Sequence, residues 1–212
     1  MISRDQFDQL LTQKIPALLL LPDGSVHETV TVQNTILPGS FNPLHDGHLG
    51  LAGTAEKLLG RPTTFELCIH NVDKPSLTFE IVTNRVRQFL KKQAICLTTT
   101  PRFIEKAKLF PGSVFVVGAD TAIRILAPHY YENGSDGILQ TLDTIANQGC
   151  RFLVGCRRDE RGQLLHVDHL PIPGQFLNLF RRIPVEEFCL DISSTQLRQL
   201  QSSVSEHARQ TQ

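Results

Sequence analysis

The sequence predicts an α/β fold in which a doubly wound parallel sheet carries helices on both faces. From residue 35 onward, short apolar strand patterns alternate with helical patterns, which is the order typical of a parallel sheet. A loop containing Gly39 and Gly47 joins the first of these strands to a helix. Of the 212 residues, 41% are hydrophobic and 20% are charged, so the chain can form a sizeable core.

Residues 1–34 precede this pattern and are predicted to form an extension of one helix and one hairpin. Ser3 and Gln6 have the spacing of a capping box, which indicates a helix start. The apolar segments 17–21 and 26–32 flank a Pro-Asp-Gly-Ser turn, which is typical of a hairpin. The hairpin either completes an edge of the sheet or serves an interface.

Residues 35–212 are predicted to form the main domain. Further strands are expected at residues 64–70, 94–98, 113–117 and 151–155. Helices are expected at residues 48–59, 77–92, 100–110, 138–147 and from residue 192, with a loop at 134–137 and a partly extended segment at 182–188. The pair Thr100-Pro101 predicts an N-cap followed by proline at the first helical position.

The composition excludes several classes of function. A net charge of zero and a pI near 7.1 argue against a nucleic-acid-binding protein. The longest early apolar run, residues 15–21, contains Pro16 and is too short to span a bilayer, and it lacks the layout of a signal peptide. Five cysteines without framework spacing indicate a reducing compartment. We therefore expect a cytoplasmic protein that needs no membrane, and a homo-oligomer is left open.

The segment from Gly39 to His48 reads Gly-Ser-Phe-Asn-Pro-Leu-His-Asp-Gly-His. A strand, a glycine-containing loop and a helix start direct backbone N–H groups toward an anion, typically phosphate. Two histidines three residues apart can both donate to phosphate oxygens there. The candidates for contact with a phosphate are Gly39, Ser40, Phe41, His45, Gly47 and His48.

This segment resembles the HxGH signature of the nucleotidyltransferase superfamily, most closely the nicotinamide/nicotinate mononucleotide adenylyltransferases. Ile192-Ser-Ser-Thr-Gln-Leu-Arg198 is similar to the ISSTxxR motif of those enzymes. Ser193 and Ser194 lie at a predicted helix start, and Arg198 shares a face with Ser194. The resemblance implies a Rossmann-like fold in which both motifs hold the ATP phosphates. It implies catalytic roles for His45, His48 and Arg198. The nucleotide-binding residues that it implies in the two motifs are Gly39, Ser40, Phe41, Gly47, Ser193 and Ser194.

Two other segments resemble nucleotide-binding elements of the same family. Gly118 and Asp120 match its GxD element, which implies that Asp120 accepts hydrogen bonds from a ribose and that Gly118 lets the adenosine approach. Arg157 and Arg158 follow a predicted strand that in the family ends in arginine after the adenosine region. Either arginine can meet the nucleotide, and a solvated pair of charges is the alternative.

The acceptor candidates are Lys74, Tyr130 and Tyr131. Lys74 follows the second predicted strand, where the family binds its substrate, although a simple turn explains the residues of this segment equally well. The pyridine-nucleotide enzymes commonly stack the pyridine ring on a tryptophan after the GxD segment, and this chain has no tryptophan. Tyr130 and Tyr131 lie near that place and can substitute, because a tyrosine face also stacks.

The resemblance therefore implies transfer of AMP from ATP to the phosphate of nicotinamide or nicotinate mononucleotide. Mg²⁺ is expected to arrive on the triphosphate, with no metal site on the protein, because His166 and His169 have no further ligands at zinc-like spacing. The alternatives are ATP or CTP transfer to another phosphate acceptor (phosphopantetheine, a sugar or polyol phosphate, or FMN), and a nucleotide-binding module without catalysis.

Overall fold

A mostly parallel sheet, covered by helices on both faces, forms the centre of the protein in the computed structural model, which describes residues 1–28, 35–71, 75–158 and 162–190. The strands are β1 (Leu18–Leu20), β2 (Val26–His27), β3 (Thr35–Pro38), β4 (Thr64–Cys68), β5 (Ile95–Thr98), β6 (Val114–Gly118), β7 (Arg151–Arg158), β8 (Leu164–Leu165), β9 (Phe180–Arg182) and β10 (Cys189–Leu190). The α-helices are α1 (Arg4–Leu11), α2 (Asp46–Leu59), α3 (Phe79–Val86), α4 (Phe103–Leu109), α5 (Ala119–Ile125) and α6 (Gly134–Asn147). Short 3₁₀ helices lie at Pro128–Tyr130, Val167–His169 and Gly174–Leu179.

The strand order of the sheet is β10-β7-β6-β3-β4-β5-β1-β2, and β8 and β9 also pair with β7. From β3 the chain builds outward through β4 and β5, then returns to build β6 and β7 on the other side of β3. All of these pairings are parallel, which confirms the Rossmann-like prediction. Ligands of such sheets bind where the strand order reverses, which here is the end of β3.

The strand residues alternate between two buried clusters, one on each face of the sheet. Leu37, Phe65 and Val116 pack with the first three helices, whereas Ile36 and Phe115 pack with the last three. Because helices cover both faces, the strands are buried on both sides and read as nearly continuous apolar runs.

The N-terminal segment completes one edge of the sheet. The Ser3 hydroxyl accepts a hydrogen bond from the backbone N–H of Gln6 at 3.1 Å, and Gln6 Oε1 accepts one from the backbone N–H of Ser3 at 3.1 Å, which confirms the capping box. Strand β1 pairs antiparallel with β2 and with β5, so the hairpin adds to the sheet edge. Phe7 and Leu10 of α1 are buried in the core.

Several predicted boundaries were wrong. Helix α2 begins at Asp46, two residues before the predicted start, and α3 ends at Val86, with turns beyond it. Thr100 is not an N-cap, because α4 begins at Phe103. Residues 134–137 belong to α6 and are not a loop, and β7 continues to Arg158. None of the helices within the described ranges is long and apolar enough to span a membrane.

Candidate active site

The two histidines of the Gly39–His48 segment stack on each other at the start of α2. His45 precedes the helix and His48 lies in its first turn, with ring centroids 3.8 Å apart and an interplanar angle of 30°. The backbone N–H of His45 donates to Nδ1 of His48 at 3.3 Å. This bond assigns the proton of a neutral His48 ring to Nε2, which is then free to donate to a ligand.

Both imidazoles are held in their neutral form. Burial, reinforced by the neighbouring His45 ring, lowers the pKa of His48 to about 4. Burial also lowers the pKa of His45. At neutral pH the pair therefore offers N–H donors without fixed positive charge.

Phe41 packs against the histidine pair from the protein core. Its side chain is fully buried, and its ring meets the edge of the His48 ring at a centroid distance of 5.1 Å. Phe41 also packs against Phe65 and Phe89. The Phe41 side chain does not line the cavity and has a packing role, and the nucleotide contact of this residue stays a prediction. A Cβ added at Gly39 would lie 2.6 Å from the Phe41 ring, so a side chain at position 39 would displace that support.

Two side chains of the α3 region hold the loop between β3 and α2. Gln88 accepts from the N–H of Leu44 at 2.9 Å and donates to the carbonyl of Phe41 at 3.1 Å. Arg85 donates to the carbonyl of Ser40 at 2.9 Å. Hydrogen bonds from residues more than 40 positions later in the chain therefore hold the loop backbone in place, which also contains a cis Asn42–Pro43 peptide.

On the other side of β3, the ends of β6 and β7 bring together Gly118, Asp120 and Arg157. Arg157 forms an ion pair with Asp120. A Cβ added at Gly118 would meet no atom within 4 Å, which leaves open space beside the backbone for a ligand. Arg158 instead donates to the carbonyl of Gly162 at 3.2 Å and is exposed.

The two histidines, Gly118 and the Asp120–Arg157 ion pair all line one cavity of about 450 Å³ at the end of β3, where the strand order reverses. One wall carries Gly39, Ser40, His45, Gly47 and His48, and the opposite wall carries Gly118, Asp120 and Arg157. Of the two arginines that the sequence could not separate, Arg157 lines this cavity.

The family model described as cytidylyltransferase-like matches residues 36–200, which contain both walls of the cavity. The chain belongs to this family. It is thereby a nucleotidyltransferase by family, which confirms the broader part of the resemblance. No curated protein matches the chain significantly.

In this cytidylyltransferase-like chain, two of the three predicted acceptor residues line a second, adjoining cavity of about 510 Å³. Tyr130 and Tyr131 lie in its wall, and Pro101, Phe103 and Arg124 border both cavities. The Tyr131 hydroxyl donates to the carbonyl of Ile125 at 2.6 Å. The two tyrosines are therefore next to the first cavity but not in it.

Four predicted site residues lie outside the described residues: Lys74, Ser193, Ser194 and Arg198. Their assignments stay predictions. In the described ranges, no group of three or more histidine, cysteine or acidic side chains is placed to hold a metal ion. Asp168, between His166 and His169, pairs with Arg182 at 2.8 Å.

A charged pair in the wall of the first cavity was not among the residues predicted from the sequence. Glu66 on β4 and Lys106 on α4 form a buried ion pair at 2.6 Å. The signal available was a single carboxylate inside an apolar strand, Phe-Glu-Leu-Cys-Ile, which the alternating pattern assigned to a polar face. Arg85 and Gln88, which fix the loop, carried no local signal.

Proposed function

We propose that the protein transfers AMP from ATP to the phosphate of nicotinamide or nicotinate mononucleotide and releases pyrophosphate. The observation that carries this proposal is the neutral His45–His48 pair facing Gly118, Asp120 and Arg157 across one cavity. N–H donors at a helix start suit a polyphosphate, and a carboxylate at a strand end suits ribose hydroxyls.

The chemistry is an in-line displacement at the α-phosphorus. An oxygen of the acceptor phosphate forms a bond to that phosphorus, while the bond to the oxygen bridging the α- and β-phosphates breaks and pyrophosphate leaves. The task of the protein is to align two anions and to stabilise the charge that develops. His48 Nε2–H is suited to this task because it donates without losing a proton.

Ser193, Ser194 and Arg198 are assigned to the leaving pyrophosphate by the motif alone. A guanidinium with hydroxyl donors matches phosphate oxygens. Mg²⁺ would enter as part of the ATP complex, with most of its ligands from phosphate and water.

The acceptor base is assigned to the border between the two cavities, with Tyr130 and Tyr131 on the side of the second cavity. Support comes from the border that the second cavity shares with the proposed nucleotide cavity.

An aromatic pair is worth about 0.5–1.5 kcal/mol beyond area burial. Removing the ring that stacks, in Tyr130→Ala or Tyr131→Ala, should raise the acceptor KM up to about tenfold with ATP KM unchanged. Unchanged acceptor KM in both variants would remove these rings from the site.

A screen of pyrophosphate release tests the proposal against its rivals. The full-length protein is assayed with ATP or CTP and with five acceptors: pyridine mononucleotides, phosphopantetheine, sugar phosphates, polyol phosphates and FMN. We expect release only with ATP and a pyridine mononucleotide. Release with CTP or with another acceptor would contradict the substrate assignment, and binding of ATP without any release would favour a module without catalysis.

A further inference from the structure

A buried ion pair lies in the wall of the proposed nucleotide cavity. Glu66 Oε1 accepts from Lys106 Nζ at 2.6 Å, and the hydroxyl of Thr98 donates to the same oxygen. The side chains of Glu66 and Lys106 are 1% and 4% exposed. Both residues line the cavity together with Cys68.

Strand geometry explains why Glu66 lies there. Phe65 and Leu67 pack into the cluster with the first three helices, so Glu66, between them, points to the opposite face, under α4. Strands β4 and β5 lie on the far side of β3 from β6 and β7, which carry Gly118 and Arg157. The pair therefore belongs to the half of the sheet that the proposed nucleotide does not occupy.

Stability does not explain this pair. Burying two charges costs free energy that a single ion pair often fails to recover, and an apolar pair of similar volume is often as stable. In addition, Glu66 Oε2 is buried and accepts no hydrogen bond from any residue that the structure describes. An unpaired carboxylate oxygen in a cavity wall is better explained by a ligand that donates to it.

The donor and acceptor groups of the ion pair that have no partner among the described residues indicate which kind of ligand fits there. Glu66 Oε2 offers an acceptor, and Lys106 has ammonium hydrogens beyond the one given to Oε1. The neighbouring Cys68 thiol is kept neutral because burial raises its pKa. A primary carboxamide, with one carbonyl acceptor and an NH₂ donor, complements this pair, whereas a carboxylate would place a second anion against Glu66.

We infer that Glu66 and Lys106 determine acceptor specificity by selecting a carboxamide over a carboxylate, so that the acceptor is the nicotinamide and not the nicotinate mononucleotide. The inference rests on the proposed transfer to a pyridine mononucleotide. It assigns a specificity role to two residues that neither sequence motif contains.

The test compares kcat/KM for the two mononucleotides at saturating ATP. The full-length protein should prefer the amide at least about 100-fold, because a site built to bond an N–H rejects an analogue that lacks it. Glu66→Gln puts a donor where the free oxygen lies, so the preference should fall at least about tenfold and turnover of the acid should rise. Lys108→Met, an exposed lysine of the same helix, is the control and should leave the ratio unchanged.

The double variant Glu66→Leu/Lys106→Met guards against a folding defect, since it replaces the pair with apolar side chains of similar size. It should bind ATP as the wild type does in calorimetry and lose the discrimination. A purely structural pair would instead lower kcat/KM equally for both acceptors and keep the ratio, which would overturn the inference. Preference for the acid in the wild type would overturn it as well, with the proposed function intact. Turnover of neither mononucleotide by a protein that binds ATP would overturn both.

Discussion

His48 combines three properties that the proposed chemistry needs: it is neutral, its tautomer is fixed and its ring is braced. The N–H of His45 occupies Nδ1, burial keeps the ring uncharged, and Phe41 packs against its edge. Preorganised donors of this kind act without reorganising when charge develops.

His48→Ala should therefore lower kcat at least about 10²–10³-fold while the protein stays folded. His27→Ala, an exposed histidine on β2, provides the matched control and should retain full turnover. Steady-state pyrophosphate release and circular dichroism measure the two effects. Near-normal turnover by a folded His48→Ala protein would refute the catalytic assignment.

The same histidine should make stability depend on pH. Its folded pKa of about 4 lies below the ordinary value of 6.5, so the unfolded state binds more protons between these values. The free energy of unfolding contributed by His48 is thus complete above about pH 6.5 and declines as the pH falls toward 4.

Urea unfolding at pH 7 and pH 5 measures this dependence. The wild type should lose more stability between the two values than His48→Gln, which has no titrating ring. Equal losses would show that His48 titrates normally in the folded protein.

The residues of the loop could be predicted from the sequence because their chemistry is local. Glycines, histidines and a helix start within ten positions are a recognisable pattern. Glu66 could not be recognised as a cavity residue, because a strand with alternating apolar and polar residues normally has one solvent-exposed face. Here a helix covers each face, so the same position is buried and charged.

At the scale of elements, α3 and the turns after it control the shape of the loop before α2. Gln88 bonds both to Leu44 and to Phe41, which lie more than 40 positions earlier in the chain. No sequence pattern predicts such contacts, because they depend on how α3 packs beside the end of β3.

Gln88→Leu should lower the free energy of unfolding by about 1–3 kcal/mol, because it leaves two loop groups without partners. Turnover should fall with it, since the loop carries His45. Gln88→Glu keeps the acceptor for Leu44 but loses the donor to Phe41, and an intermediate effect is expected. Gln175→Leu, at an exposed position, is the control, and an equal effect there would contradict the role of Gln88.

At the scale of the whole molecule, the order of the strands brings the candidate residues together. The chain adds β4 and β5 on one side of β3 and adds β6 and β7 on its other side. Segments near residues 45 and 120, which follow β3 and β6, therefore meet at one cavity. The alternating strand and helix patterns predicted this fold class. They did not predict the separate second cavity, whose walls are formed by residues of α4, α5 and α6 that are far apart in the sequence.

Adenylyl transfer from ATP to the phosphate of the acceptor can be followed by ³¹P NMR of one reaction mixture. With ATP, nicotinamide mononucleotide and the full-length protein, we expect the ATP signals to disappear as pyrophosphate and a dinucleotide diphosphate appear in equal amounts. Formation of ADP, or of AMP without a dinucleotide, would contradict it.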